Sequence, residues 1–269
     1  MPIVKYRTHK INYTIQGKGP TIVFLHGFGL DLRMWADFTP AFEDYQVVCI
    51  DLPGFGQSEN MPNMSIQLMA KAVKAVLDQE QIEKSVLIGH SMGGYVSLAF
   101  VKKYEYLLKG FGLFNSHPYA DTLERKEYRT KSISFVERHG VPIYLKQMIP
   151  LLFAKKFAKS NTFILEKISF YGSQTSKEGI INGLKAMRGR VDNSSVLKKT
   201  SVPVLFIVGR RDAAIPLKNS LNQLSLPLLS SIHIYEQAGH MGMFEVKKET
   251  IEAIKDFTNF CEDMQQSEF

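Results

Sequence analysis

Ser85-Val86-Leu87-Ile88-Gly89-His90-Ser91-Met92-Gly93 is an apolar run that ends in a lone serine, with glycine two positions to either side. It reads as a strand turning sharply into a helix, with Ser91 at the apex. The apex residue of such a turn is held in a strained backbone conformation, and side chains two positions before and after it would collide. Glycine at 89 and 93 removes those side chains. The turn lifts the serine oxygen above the end of a sheet and puts the Met92 backbone N–H at the start of a helix, facing any anion formed there.

Similar β-rich runs recur along the chain: Thr21–His26, Gln46–Asp51, Ser85–His90, Lys109–Asn115, Pro203–Val208 and Ser231–Tyr235. Most are continuously apolar, as parallel strands covered on both faces should be. Ile3–Thr8 and Asn12–Gln16 alternate instead, which predicts an antiparallel pair at a sheet edge. Helical patterns fill the gaps at Ser65–Gln81, Met92–Tyr104, Leu217–Leu224 and Lys247–Met264, the last with Ile251, Ile254, Phe257, Phe260 and Cys261 at helical spacing. The predicted fold is α/β, with a mostly parallel, eight-stranded twisted sheet and helices on both faces.

The alternation breaks once. Between about Ser116 and Thr200 strand patterns vanish and helical ones take over, punctuated by Pro118, Pro142, Pro150, Gly140, Gly172, Gly179, Gly183 and Gly189. We read 116–199 as a helical cap inserted between strands 6 and 7, and 1–115 with 200–269 as the core. Tyr119, Tyr144, Met148, Leu152, Phe153, Phe170 and Met187 give the cap its apolar content. Most are expected in its own interior and a minority against the serine.

Composition bounds the alternatives. The 269 residues, 45% hydrophobic and 22% charged, suit a globular domain with one insertion. No apolar stretch approaches the roughly 20 residues of a membrane span. The segment Met1-Pro2-Ile3-Val4-Lys5-Tyr6-Arg7 lacks a secretion signal's apolar centre, so a cytoplasmic location is expected. Cys49 and Cys261 read as small core residues rather than a disulfide. Of the net charge of +7, positions 117–199 carry 16 Lys and Arg against 7 Asp and Glu. That excess is either a solvated surface or a face for acidic ligands. No nucleic-acid-reading motif accompanies it, so a nucleic-acid partner is not expected.

A serine hydroxyl is a poor nucleophile at neutral pH and needs a general base, which needs an orienting carboxylate. Of the histidines His9, His26, His90, His117, His139, His233 and His240, only His240 sits in a small-residue loop, Ala238-Gly239-His240-Met241-Gly242, after the last strand and before the last helix. The carboxylate candidate is Asp212, just past the strand Val204–Val208. The order Ser91, Asp212, His240, each following a strand, is that of one fold among those with this chemistry. A second donor to the oxyanion is expected from the Phe28 N–H in His26-Gly27-Phe28-Gly29, where Gly27 shapes the loop, alongside the Met92 N–H. His26 is read as holding that turn by a side-chain hydrogen bond, not as a base.

These landmarks, together with Asp51-Leu52-Pro53-Gly54-Phe55-Gly56-Gln57-Ser58 after the fourth strand, resemble the capped, single-domain α/β-hydrolases over nearly the full length. Serine at 91 separates the chain from the dehalogenase and epoxide-hydrolase branches, whose nucleophile is aspartate. Met241-Gly242-Met243 lacks the tryptophan associated with carbon–carbon bond hydrolases of ring-cleavage products. The chemistry implied is hydrolysis of a small carboxylic ester through an acyl-enzyme on Ser91, with His240 as base, Asp212 as its orienter and no metal or organic cofactor. A thioester, a lactone or a carbon–carbon bond beside a ketone is the alternative, and a hydrolase-like ligand sensor a more distant one. A small acyl compound is the expected partner, without integral membrane association.

Overall fold

The computed structural model describes residues 2–266, and in it the apolar runs form one eight-stranded sheet. The strands are β1 (Ile3–Tyr6), β2 (His9–Gln16), β3 (Thr21–Leu25), β4 (Gln46–Ile50), β5 (Ser85–His90), β6 (Leu108–Phe114), β7 (Val204–Gly209) and β8 (Ser230–Tyr235), ordered β1-β2-β4-β3-β5-β6-β7-β8. β1 and β2 pair antiparallel at the edge, as their alternation predicts, and β2 pairs antiparallel with β4. The remaining pairings are parallel.

Every residue of β5 and β7 is buried. Successive strand residues point to opposite faces, so these strands are covered on both. β8 departs from that expectation. As the other edge strand it leaves Ile232 and Ile234 partly exposed.

The helices are α1 (Ile66–Gln79), α2 (Met92–Tyr104), α3 (Leu123–His139), α4 (Val141–Met148), α5 (Lys155–Ser160), α6 (Thr162–Ser173), α7 (Lys177–Arg188), α8 (Ser194–Lys199), α9 (Leu217–Asn222), α10 (Gly242–Glu245) and α11 (Lys247–Gln266). α1 and α2 pack on each other, while α11 lies against β6 and β7. Behind the strands Phe24 packs on Trp35, with ring centroids 5.0 Å apart, and on Phe42 at 5.5 Å. Burying each such ring contributes about 1.5–3 kcal/mol.

Helices α3 to α8 fill the interval between β6 and β7. Not all of its glycines break helices. Gly179 lies inside α7, where a Cβ would stand 2.0 Å from the Gly54 carbonyl oxygen, so it lets that helix close onto the loop after β4. Only Gly140, at φ 82, ends one helix and begins the next, with Pro142 in the first turn of α4.

The strand order fixes where a site can form. The chain leaves β3 for β4 on one side and returns past β3 to β5 on the other. Loops at the carboxyl ends of β3 and β5 therefore diverge and leave a crevice between them. The loops bearing Phe28, Ser91, Asn115, Asp212 and His240 all leave the carboxyl ends of strands, from β3, β5, β6, β7 and β8 respectively.

Candidate active site

Ser91 has φ 52 and ψ −112, a conformation non-glycine residues adopt at a cost of about 1–3 kcal/mol. Its N–H donates to the Phe114 carbonyl at 2.9 Å, and Ser116 Oγ donates to its carbonyl at 2.8 Å, so the end of β6 and the residues just after it hold the apex. The flanking glycines are required, though by different contacts. A Cβ on Gly89 would lie 2.5 Å from the Gly93 backbone, and one on Gly93 would lie 2.6 Å from the Leu25 carbonyl oxygen of β3. Gly27 is equally constrained, because its Cβ would meet His90 Nδ1 at 2.6 Å.

His240 Nδ1 and Asp212 Oδ2 are 2.7 Å apart, with both side chains 3% exposed. A neutral imidazole that donates from Nδ1 keeps Nε2 as its acceptor. Burial alone would raise the Asp212 pKa. The charge and hydrogen bond of His240, the Ile215 N–H and the Asn115 amide outweigh burial and hold it below the usual carboxylate range. Asp212 Oδ1 accepts the N–H groups of Ala214 and Ile215 at 2.8 and 2.9 Å, which locks the carboxylate plane.

Ser91 and His240 both line a cavity of about 250 Å³, walled further by Gly27, Phe28, Tyr144, Met148, Leu152 and Met187. Four of the seven apolar residues singled out in the insertion therefore face this cavity, rather than a minority. Phe170 is exposed. No hydrogen bond joins the Ser91 hydroxyl to another described residue. Met92, the first residue of α2, is fully buried, and its N–H has no acceptor within the helix. Phe28 lies on the cavity wall in the turn closed by the Leu30 N–H donating to Gly27 O.

His26 does hold its turn. With Nδ1–H donating to Gly27 O at 2.8 Å, Nε2 accepts the Leu52 N–H at 2.9 Å. Asp51 continues the brace by accepting the Leu32 and Gln57 N–H groups and the Asn12 amide.

Three further residues support the site without a signal in the sequence. Asn115, at φ 46, donates its amide to Asp212 Oδ2 at 3.0 Å and to Gly239 O at 3.1 Å. His90 donates from Nε2 to the His240 carbonyl at 2.9 Å. Burial, reinforced by His240, pushes the His90 pKa down to about 3, so it stays neutral and acts as a brace. Glu245 accepts three backbone N–H groups, from Ala154 at 2.8 Å and from Gly239 and Met241 at 3.0 Å each. The His240 N–H donates to Leu152 O at 2.8 Å, which ties the same loop to the insertion. Among the described residues no group of three or more His, Cys, Asp or Glu side chains could hold a metal ion.

Comparison with known proteins agrees with this architecture. The family model described as alpha/beta hydrolase fold matches residues 20–132. The chain is 29% identical to the 2-hydroxy-6-oxononadienedioate/2-hydroxy-6-oxononatrienedioate hydrolase of Escherichia coli K12, over 89% of this chain and 87% of that protein. It is also 28% identical to a thermophilic esterase from Thermogutta terrifontis, at a TM-score of 0.89 over 94% of both chains.

The chain has the α/β-hydrolase fold.

This α/β-hydrolase is an enzyme with hydrolase activity. At 21% identity the enol-lactonase from Burkholderia xenovorans LB400 shares the fold, with a TM-score of 0.90 over 96% of this chain and all of that one. No described helix is long and apolar enough to cross a membrane.

Proposed function

We propose that this α/β-hydrolase cleaves a small carboxylic ester through an acyl-enzyme on Ser91. The observation that carries the reading is the 2.7 Å Asp212–His240 contact, which leaves Nε2 of His240 as the proton acceptor in a cavity it shares with Ser91. Ser91 Oγ attacks the carbonyl carbon and its proton passes to Nε2. The N–H groups of Phe28 and Met92 bind the oxyanion, a contribution of about 3 kcal/mol per donor in comparable sites. The imidazolium, stabilised by Asp212, then returns the proton to the leaving alcohol. Water repeats the cycle on the acyl-enzyme and releases the acid. Segment 116–199 acts as a cap over 1–115 and 200–269, and supplies Tyr144, Met148, Leu152 and Met187 to the acyl pocket. The two buried free thiols, Cys49 and Cys261, suit a reducing cytoplasm.

A second reading has its own support. The Escherichia coli relative is named for a 6-oxo compound, a ketone rather than an ester. The same residues would then attack that ketone and expel a carbon leaving group. Turnover of short p-nitrophenyl esters by the unmodified enzyme and by Ser91→Ala tests the ester reading. Loss of the nucleophile should lower kcat by about 10⁶-fold. Equal rates in both proteins would overturn the assignment of Ser91.

A further inference from the structure

The basic excess of the insertion divides in two. Its lysines are mostly exposed, but Arg125, Arg129 and Arg190 are half-buried or buried, around one buried carboxylate, Asp121. Arg129 hydrogen-bonds Asp121 through Nε and Nη2, while Arg190 reaches Asp121 at 2.5 Å and lies over the Tyr95 ring at 4.0 Å. Asp121 is thus shared by two guanidinium groups. Arg125 has no carboxylate within ion-pair distance among the described residues. It makes a long 3.4 Å contact to Ala214 O and rests on Tyr128.

Arg125 and Arg129, four residues apart on α3, both line the Ser91 cavity, and among the described residues no aspartate or glutamate does. A second cavity adjoins it and shares Tyr95, Arg125, Tyr128, Arg129, Ala213 and Ala214 with it. There the acidic groups are Asp121, already paired, and Glu124, exposed on the first turn of α3. His117 lies beyond, kept neutral by burial and by Arg190, with its pKa pushed down to about 3. A positive charge half out of water with spare N–H donors is poorly compensated unless an anion completes it.

We infer that Arg125, backed by Arg129, is a carboxylate-binding subsite, so that the substrate class is an acid-bearing acyl compound whose carboxylate sits at α3 while its carbonyl meets Ser91. The inference rests on the ester reading above and deepens it. A planar guanidinium accepts a carboxylate in a two-pronged pair, which fixes orientation as well as charge.

The test compares matched esters. The aryl hemi-ester of glutaric acid against the aryl ester of pentanoic acid places the charge on the acyl side. 4-Acetoxybenzoate against phenyl acetate places it on the alcohol side. In one of the two pairs the acidic member should show a kcat/KM about 10- to 100-fold above its neutral partner. Arg125→Gln should bring that ratio close to one, Arg125→Lys should restore part of it, and Lys126→Gln, on the exposed face of the same helix, should leave it intact. Free glutarate should raise the melting temperature of the unmodified enzyme but not of Arg125→Gln, which reads the subsite without turnover. Acidic esters no better than neutral ones in both pairs, or a preference that survives Arg125→Gln, would overturn the inference. Absence of turnover on every ester would instead overturn the ester reading, and the glutarate shift would still decide the subsite.

Discussion

Replacing Glu245 with glutamine should disable the loop that carries His240 while leaving its shape almost unchanged. One oxygen of Glu245 accepts the Ala154 and Gly239 N–H groups and the other accepts Met241 N–H, so the residues on both sides of His240 hang from a single carboxylate. A glutamine amide can aim its oxygen at the first pair only by turning its NH₂ toward Met241 N–H, donor against donor. Hydrogen bonds to a charged group contribute about 1.5–3 kcal/mol each, roughly twice neutral ones. Losing one and halving two gives a loss of about 3–6 kcal/mol. At about 2–4 °C per kcal/mol for a chain of this size, melting should fall by about 6–24 °C. His240 would also lose its fixed placement, and a displacement near 1 Å can lower turnover by about 100-fold. Scanning calorimetry and steady-state hydrolysis of p-nitrophenyl acetate read both effects. The expected pattern is a kcat lower by about 10- to 100-fold with a KM changed far less. An E245Q enzyme with unaltered melting and kcat would refute the clamp.

Asn115 gives a second prediction. Asn115→Ala and Asn115→Gly both remove the amide that bridges Asp212 and Gly239, so both should lower kcat alike. Only alanine should add about 1–2 kcal/mol of instability at φ 46, measurable by urea denaturation. The lowered pKa of Asp212 sets a pH dependence. A carboxylate whose folded pKa lies below its ordinary value of 3.8 contributes stability that is present above that value and is lost as pH falls through the folded pKa. The melting-temperature gap between the unmodified enzyme and Asp212→Asn should therefore be wide at pH 7 and narrow below pH 3.8. A gap that stays constant over that range would exclude the carboxylate–imidazole pair as its source.

Most of the fold was legible because buried parallel strands have a plain signature. The bounds of β5 and α2 follow directly from their apolar run and the sharp turn at Ser91, and the edge pair β1–β2 from alternation. β8 resisted the same reading, because its exposed isoleucines look like core residues until the sheet order shows that it lies at an edge. The placement of Ser91, Asp212 and His240 at strand ends was legible because each follows a strand in a loop of small or turn-forming residues. Their supports were not. Asn115 is an ordinary turn residue by sequence, and Glu245 an ordinary acid beside a helix. Their roles arise from strand ends and a loop brought together by the sheet. The same holds for Arg125, whose charge was visible within a lysine-rich segment while its place on the cavity wall was not.

The proposed reaction passes through a covalent acyl intermediate on Ser91 Oγ. Acid quenching of the enzyme within its first turnovers of p-nitrophenyl acetate, followed by intact-mass and peptide analysis, tests it most directly. A burst of nitrophenol equal to the enzyme present is expected, with one acyl group on the peptide that contains Ser91, both absent from Ser91→Ala. Steady turnover with no acyl group on that peptide, or with the acyl group on another residue, would contradict it.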